Sequence, residues 1–554
     1  MTSPATVQAT FCATLVDEWV RGGVRHAVLS PGSRSTPLAL ALADEGRLHL
    51  HVHQDERSAA FFALGIGVAT GVPAVVVSTS GTAAVELHPA VVEASQACVP
   101  LLVCTADRPP ELQSIGAAQT IEQTHLYGRA VRWFAEPGVA EEAGAASWRS
   151  LGARAFAEAT GSVPGPVHLN LAFREPLVAE AGALPPGRDG GRPWHEQEVH
   201  AAPPQPLTLP PGRGVLVAGG GVADPAAVLT LGERLGWPVL ADPRSGCRVP
   251  GRVAVAAADA LLRHAPFAAG HMPDVVVRLG TPPASKVLNQ WIAASGAREI
   301  VVGGRWIDPD RTASTVVRAD PSSWCRAVVV DGRAEDEWLR SWTEADARAQ
   351  AAIDGALASH EEPTEPFVAR TVAAESSTLV VASSMPVRDV EWYAPPRLGL
   401  RVLANRGANG IDGVVSTAAG VASALGQRVT ALVGDLAFLH DSNALLGLAD
   451  RGLDLTIVVV DNRGGGIFSF LPHAELLPPD RFELLFGTPH AVHLPSLAAV
   501  HGVPAFEVHA ADALAPALRA AAAASGAFVV IVRTDREKNV AVHDEVHAAV
   551  ASTL

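Results

Sequence analysis

Near the C-terminus, two short polar stretches each follow a run of apolar residues. Gly434-Asp435-Leu436 follows Val429-Thr430-Ala431-Leu432-Val433, and Asp461-Asn462-Arg463-Gly464 follows Leu455-Thr456-Ile457-Val458-Val459-Val460. The carboxylate of Asp435, the carboxamide oxygen of Asn462 and a backbone carbonyl near Gly464 are three hard oxygen donors. That set suits an octahedral Mg²⁺ whose other positions are filled by water and diphosphate oxygens. Together the stretches read as a clamp that holds a diphosphate through a metal.

Such a clamp needs both stretches at one edge of one sheet. The two apolar runs are short, partly β-branched and unalternated, which is the pattern of strands buried on both faces of a parallel sheet. The apolar spacing from Leu439 to Ala449 predicts a crossover helix between them. Asp435 and Asn462 then emerge at the carboxyl ends of neighbouring strands, where open α/β sheets bind ligands. The first 180 or so residues show the same alternation, with strands expected at His26–Ser30, Leu48–Val52, Ala74–Thr79 and Leu101–Thr105. Residues 184–214 are rich in Pro and Gly and read as a linker. A middle unit follows, with strands at Val215–Ala218, Val275–Leu279 and Glu299–Val302, a helix over 334–358, and a second linker at His360–Pro366. The expected fold is α/β with three domains, each a mostly parallel, doubly wound sheet flanked by helices. Their expected bounds are 1–183, 215–358 and 359–554. Two α/β domains flanking a middle one point to a duplicated architecture.

The chain has 554 residues, is 48% hydrophobic and 18% charged, and carries a formal net charge of -15, which argues against a nucleic-acid or anionic-membrane surface. Only two lysines occur, so arginine supplies nearly all the positive charge. The five cysteines have no metal-binding spacing and read as free thiols of a reducing compartment. No stretch approaches the ~18 apolar residues that span a bilayer. A cytoplasmic enzyme acting on small molecules, without nucleic acid and without membrane insertion, is the expectation.

The order of α/β domain, middle domain and α/β domain with a GDx…N clamp resembles the thiamine-diphosphate enzymes of the pyruvate-decarboxylase and acetolactate-synthase group. Leu436 stands where that motif usually has Gly. Within the group, several motifs resemble the SEPHCHC synthases of menaquinone biosynthesis (2-succinyl-5-enolpyruvyl-6-hydroxy-3-cyclohexene-1-carboxylate synthases). These are Ser30-Pro31-Gly32-Ser33-Arg34-Ser35-Thr36-Pro37, Asp55-Glu56-Arg57, Thr79-Ser80-Gly81-Thr82-Ala83 and Thr105-Ala106-Asp107-Arg108-Pro109-Pro110-Glu111-Leu112. Asn405-Arg406-Gly407-Ala408-Asn409-Gly410-Ile411-Asp412-Gly413 and Gly465-Gly466-Ile467-Phe468-Ser469 continue the likeness. It keeps its order across all three expected domains and is weakest in the middle one.

The resemblance implies thiamine diphosphate with Mg²⁺ (or Mn²⁺), decarboxylation of 2-oxoglutarate, and 1,4-addition of the succinyl unit to isochorismate. It also implies a homodimer or homotetramer with active sites at the subunit interface. Glu56 would hydrogen-bond the aminopyrimidine and favour the imino form that takes the thiazolium C2 proton; such an acid needs an apolar setting. Thr82, Gln119, Ile411, Gly434, Asp435, Leu436, Ala437, Asn462, Gly464 and Ile467 would complete the cofactor site, with Asp435, Asn462 and Gly464 on the metal. Ser33, Arg34 and Arg108 would line the isochorismate side, and Ser384 and Arg388 would hold the succinyl carboxylate. Arg406 would lie over the site, Lys286 would meet a substrate carboxylate, and Gln119, Arg34 and Arg406 would share the chemistry with Glu56. Both substrates are dianions, and arginine's planar fork suits carboxylates.

Two departures bear on affinity. Gly116-Ala117-Ala118-Gln119 has Ala118 where the family often has Asn, and Lys286-Val287 stands where the family often shows Lys-Arg. A rival within the group is another 2-oxoacid decarboxylase or carboligase, of the acetolactate-synthase type, but a monocarboxylate substrate would not need four arginines. Gly219-Gly220-Gly221 lacks the last Gly of a dinucleotide fingerprint and reads as a tight turn. The 20 histidines show no zinc spacing and read as structural, with His440 the one expected nearest the clamp.

Overall fold

The computed structural model describes residues 3–197 and 207–554, so part of the linker expected over 184–214 lies outside the described residues. Three six-stranded sheets make up the framework, and every strand pair in them is parallel. The first runs in the order His49–Val52, His26–Leu29, Ala74–Ser78, Leu101–Asp107, Pro166–Ala172, Trp133–Ala135. The last runs Arg401–Leu403, Thr378–Val381, Val429–Gly434, Leu455–Asp461, Ala527–Arg533, Ala505–Val508. Numbered within each domain, both follow the order 2-1-3-4-6-5, so the duplication expected from the alternating pattern is present in the topology. The middle sheet differs: Ala254–Val255, Val239–Ala241, Gly214–Ala218, Val275–Leu279, Arg298–Val302, Thr315–Val317 is the 3-2-1-4-5-6 order of a dinucleotide fold.

The central strands are continuous apolar runs because both faces are covered. All five residues of Ala74–Ser78 and all seven of Leu455–Asp461 are buried. Packing groups the chain into two compact units. One holds residues 3–197 with Asn405–Gln427 and His440–Asp454; the other holds 207–404, Arg428–Leu439 and Leu455–Leu554.

In the first unit, helix Glu56–Thr70 starts at an Asp55 cap that accepts from Ser58 N, and it packs backbone to backbone on helix Val414–Leu425. Small residues permit this approach: a Cβ on Gly65 would meet Thr417 O at 2.1 Å, and one on Gly420 would meet Phe62 O at 2.0 Å. In the second unit, the middle sheet and part of the last domain share one core, which includes Trp324, Trp342, Tyr393 and Val546.

Two local expectations change. The link between the clamp strands is not one helix. It is a short helix Asp435–His440 followed by 3₁₀ turns at Ser442–Leu445 and Ala449–Arg451. The buried Asp441 carboxylate accepts from Ser416 N (2.8 Å) and Ser416 Oγ (3.0 Å), and Gly447 has φ 66°, which together break the helical path. The end of the expected second linker is instead a helix start: Thr364 caps Glu365–Glu375 with Pro366 in its first turn. The tight turn expected at Gly219-Gly220-Gly221 is present and closely packed, for a Cβ on Gly219 would lie 1.6 Å from Thr281 O. Among the described residues no helix is long and apolar enough to cross a membrane.

Candidate functional site

In the second unit the clamp sits at the carboxyl edge of the last sheet. Strands Thr378–Val381 and Val429–Gly434 are its first and third in chain order and lie side by side, so the crossover direction reverses between them. A crevice at such a point is where ligands bind in open α/β sheets. Asp435 follows directly and is buried, with Oδ1 accepting from Leu436 N (2.6 Å) and Oδ2 from Gly464 N (2.9 Å). Burial pushes its acid up to about 6, and the nearby Asp461 charge adds to that, so the carboxylate calls for a cation.

Asn462 donates from Nδ2 to Glu365 Oε1 (2.7 Å), while its Oδ1 is buried without a hydrogen-bond partner among the described residues. An unpaired buried carbonyl oxygen beside a buried carboxylate fits a hard divalent ion. Gly464, at φ 155°, could carry no side chain: a Cβ there would meet Gly487 O at 2.2 Å. Asp435, Asp461 and His490 also bring three ligand atoms within 4.8 Å of one another. Asp461, however, is committed, accepting from Arg463 N (3.2 Å) and pairing with Arg533. Asp435 and Asn462 are therefore the better-placed oxygen donors.

Beside the clamp, Ser384 has φ 80° and ψ -141°, a region that non-glycine residues rarely occupy, and it opens helix Met385–Tyr393. Arg388, one turn on, donates from Nη1 to Ser384 O, and burial holds its guanidinium below the ordinary arginine value. Lys286 is exposed at the first turn of helix Lys286–Ala294, whose capping residue Ser285 donates from N to Glu391 Oε1 (3.0 Å) on the Arg388 helix. Leu436 and Ala437 lie on the short helix after Asp435, and Ile467 lies in the turn Gly466–Phe470.

The first unit gathers cations at the matching edge of its own sheet. Arg34 is buried, donating to Phe173 O (3.0 Å) and pairing with Glu175 (3.3 Å). Burial and then the Arg108 charge lower its pKa. Arg108 donates to Ser80 Oγ (2.8 Å) and Ala118 O (3.0 Å). Gln119, at φ 54°, closes the same loop: its Nε2 donates to Ser80 O (3.1 Å) and its O accepts from Ser80 Oγ (2.9 Å). Because Arg108 bonds the backbone at position 118, Ala118 still contributes an acceptor despite its missing side chain. Ser33, in the loop before helix Thr36–Asp44, and Thr82, the first residue of helix Thr82–Glu86, are exposed. Glu56 is half-buried in the first turn of its helix, and burial followed by the Asp55 and Glu86 charges raises its acid above the ordinary value. That is the environment its expected role requires.

Arg406 and Ile411 are half-buried in the loop that leads to Val414–Leu425. This loop is pinned by a residue the sequence did not single out. Buried Glu93 accepts from the backbone N of Gly407 (2.7 Å), Ala408 (2.6 Å) and Asn409 (2.9 Å). His490, read from the sequence as structural like the other histidines, pairs through Nε2 with Asp435 Oδ2 (3.2 Å), whereas His440 is exposed. Glu365 is the third such residue. No spacing marks any of them, since each acts across a long sequence separation; only Glu365, an acid directly after a capping Thr, carried a local hint.

Three family models match along the chain: "Thiamine pyrophosphate enzyme, N-terminal TPP binding domain" over 10–126, "Middle domain of thiamine pyrophosphate" over 191–378, and "Thiamine pyrophosphate enzyme, C-terminal TPP binding domain" over 393–532. The 2-succinyl-5-enolpyruvyl-6-hydroxy-3-cyclohexene-1-carboxylate synthase of Myxococcus xanthus (strain DK1622) is 42% identical, across 100% of this chain and 99% of its own. The synthase of Thermobifida fusca (strain YX) is 46% identical, with 100% of both chains covered. The chain belongs to the SEPHCHC synthase family. It is a thiamine-diphosphate-dependent enzyme. A third relative, from Saccharopolyspora erythraea, is 43% identical over the full length of both chains.

Proposed function

We propose that the protein decarboxylates 2-oxoglutarate and adds the succinyl unit to isochorismate, giving SEPHCHC and CO₂ for menaquinone biosynthesis. The observation that carries the reading is the pairing of chemistries at two sheet edges: a buried acid and an unpaired carboxamide oxygen at one, two neighbouring arginines and an acid of raised pKa at the other. Bound thiamine diphosphate supplies the nucleophilic carbon and the electron sink that 2-oxoacid decarboxylation needs. Asp435, Asn462 and the backbone near Gly464 hold its diphosphate through Mg²⁺ or Mn²⁺. Glu56, whose acid is raised above the ordinary value by burial, hydrogen-bonds the pyrimidine. Ser33, Arg34 and Arg108 take the isochorismate carboxylates, Ser384, Arg388 and Lys286 those of the oxoacid, and Gln119 and Arg406 flank the reacting groups. All five cysteines are free thiols, which fits a cytoplasmic enzyme.

The test combines protein, thiamine diphosphate, Mg²⁺, 2-oxoglutarate and isochorismate while following isochorismate absorbance and product mass. Consumption that requires every component, with the adduct mass appearing, is the expected result. Release of CO₂ with isochorismate intact would overturn the acceptor. In the proposed homodimer, Glu56 and Asp435 of one site come from different copies. Mixing inactive Glu56→Gln and Asp435→Ala chains should then restore activity, and no recovery would overturn the shared site.

A further inference from the structure

Asn462 can ligate a cation only through its oxygen, yet its carboxamide is nearly the same shape in either orientation. Something must decide which end faces the clamp. Glu365 occupies the other end: it is 4% exposed, and its Oε1 accepts from Asn462 Nδ2 at 2.7 Å. An acceptor fixed there selects the NH₂ group and turns Oδ1 away, and it is Oδ1 that is buried and unpartnered among the described residues. Leaving such a buried oxygen unsatisfied is costly, so the orientation needs both the Glu365 bond and an occupant opposite.

Glu365 is itself held. It lies in the first turn of Glu365–Glu375 beneath the Thr364 cap, and it borders a cavity of about 310 Å³ shared with Thr534, Asn539 and Arg533. Behind it the Asp389 carboxylate pairs with His543 at 2.8 Å. Burial and then the Asp389 charge raise the Glu365 acid. The orientation of Glu365 rests on its bond to Asn462.

We propose that Glu365 is a positioning residue that fixes the Asn462 carboxamide with its oxygen toward the divalent cation of the diphosphate clamp, an inference that rests on the clamp reading above. Partners of metal ligands of this kind typically change metal affinity 10–100-fold.

The experiment is calorimetric titration of thiamine diphosphate at a series of Mg²⁺ concentrations, with folding checked by thermal melting. Glu365→Ala should raise the Mg²⁺ concentration needed for half-maximal cofactor binding about 10–100-fold, while cofactor affinity at saturating Mg²⁺ returns to within about threefold of the parent. General damage to the domain would lower affinity at every Mg²⁺ concentration. Asn462→Asp places two carboxylates together and should also raise the Mg²⁺ concentration needed for cofactor binding. Adding Glu365→Gln to it restores a donor–acceptor pair and should recover at least part of the loss. Parental Mg²⁺ dependence in Glu365→Ala, or no recovery in the double variant, would overturn the role of Glu365. Cofactor binding by the parent protein that is unaffected by EDTA would instead overturn the clamp itself.

Discussion

The first and last sheets share one strand order and one direction of chain reversal, yet their carboxyl edges carry opposite chemistry. The last sheet places Asp435 and Asn462 there, with Glu365 and Asp389 buried behind, a set of oxygen donors suited to a cation. The first places Arg34 and Arg108 there, close enough for one charge to act on the other, a pair suited to anions. Even a backbone detail is repeated: Gly81 in the first sheet has φ 80° and ψ -140°, and Ser384 in the last has φ 80° and ψ -141°. Topology fixes where a ligand can sit, and the few side chains at the strand ends fix which ligand it is.

The sharpest way to break this contrast is to remove the acid from the last sheet. Asp435→Ala should weaken Mg²⁺-dependent cofactor binding by more than the 10–100-fold that an outer partner costs, measured by calorimetry. Unchanged binding would show that the two edges do not differ as described. On the other sheet, Glu56→Gln removes a proton donor but little volume. Turnover should fall about 10²–10⁴-fold while cofactor affinity stays within a few fold. Near-normal turnover would remove Glu56 from the chemistry.

The arginine edge predicts a smaller and differently shaped loss. Arg34→Lys keeps the charge but not the fork, and it breaks the bond to Phe173 O. A lost charged hydrogen bond is worth about 1.5–3 kcal/mol, so kcat/KM for isochorismate should fall roughly 10–100-fold, with the 2-oxoglutarate dependence little altered. Equal losses for both substrates would show that the first-sheet edge is not specific to the acceptor.

How much of this could be read from the sequence follows from the range of the interactions involved. The clamp strands were legible because doubly buried strands leave continuous apolar runs, and the polar residues directly after them define an edge. The duplication was legible only as an alternation; its identical strand order depends on which strands pair, which no local pattern states. The helix expected over Leu439–Ala449 failed because Asp441 turns inward to Ser416, a contact 25 residues away. Glu93 was invisible for the same reason, and the role of Glu365 could not be read from its local hint, since they serve Gly407–Asn409 and Asn462, some 314 and 97 residues distant. Buried acids of this kind are recognised by what they hold.

The repeated backbone conformation gives the finest test of the comparison. At Gly81 the conformation carries no steric penalty, and a side chain there would press on Gln119, whose Cγ lies 2.9 Å from a Cβ built on it. At Ser384 the same conformation is held by a residue with a Cβ, at a cost of about 1–3 kcal/mol. Ser384→Gly should release that strain, less the ~0.4–1 kcal/mol by which glycine loosens the unfolded chain. The net gain of about 1 kcal/mol corresponds to a melting temperature some 2–4 °C higher for a domain of this size. If Ser384 is retained to hold a substrate carboxylate together with Arg388, the same change should raise KM for 2-oxoglutarate several-fold. A variant that gains stability and keeps its KM would mean the strain serves only the chain path into the Arg388 helix. A variant that loses stability would mean that Ser384 is not strained at all, and the likeness to Gly81 would then be one of angles and not of energy.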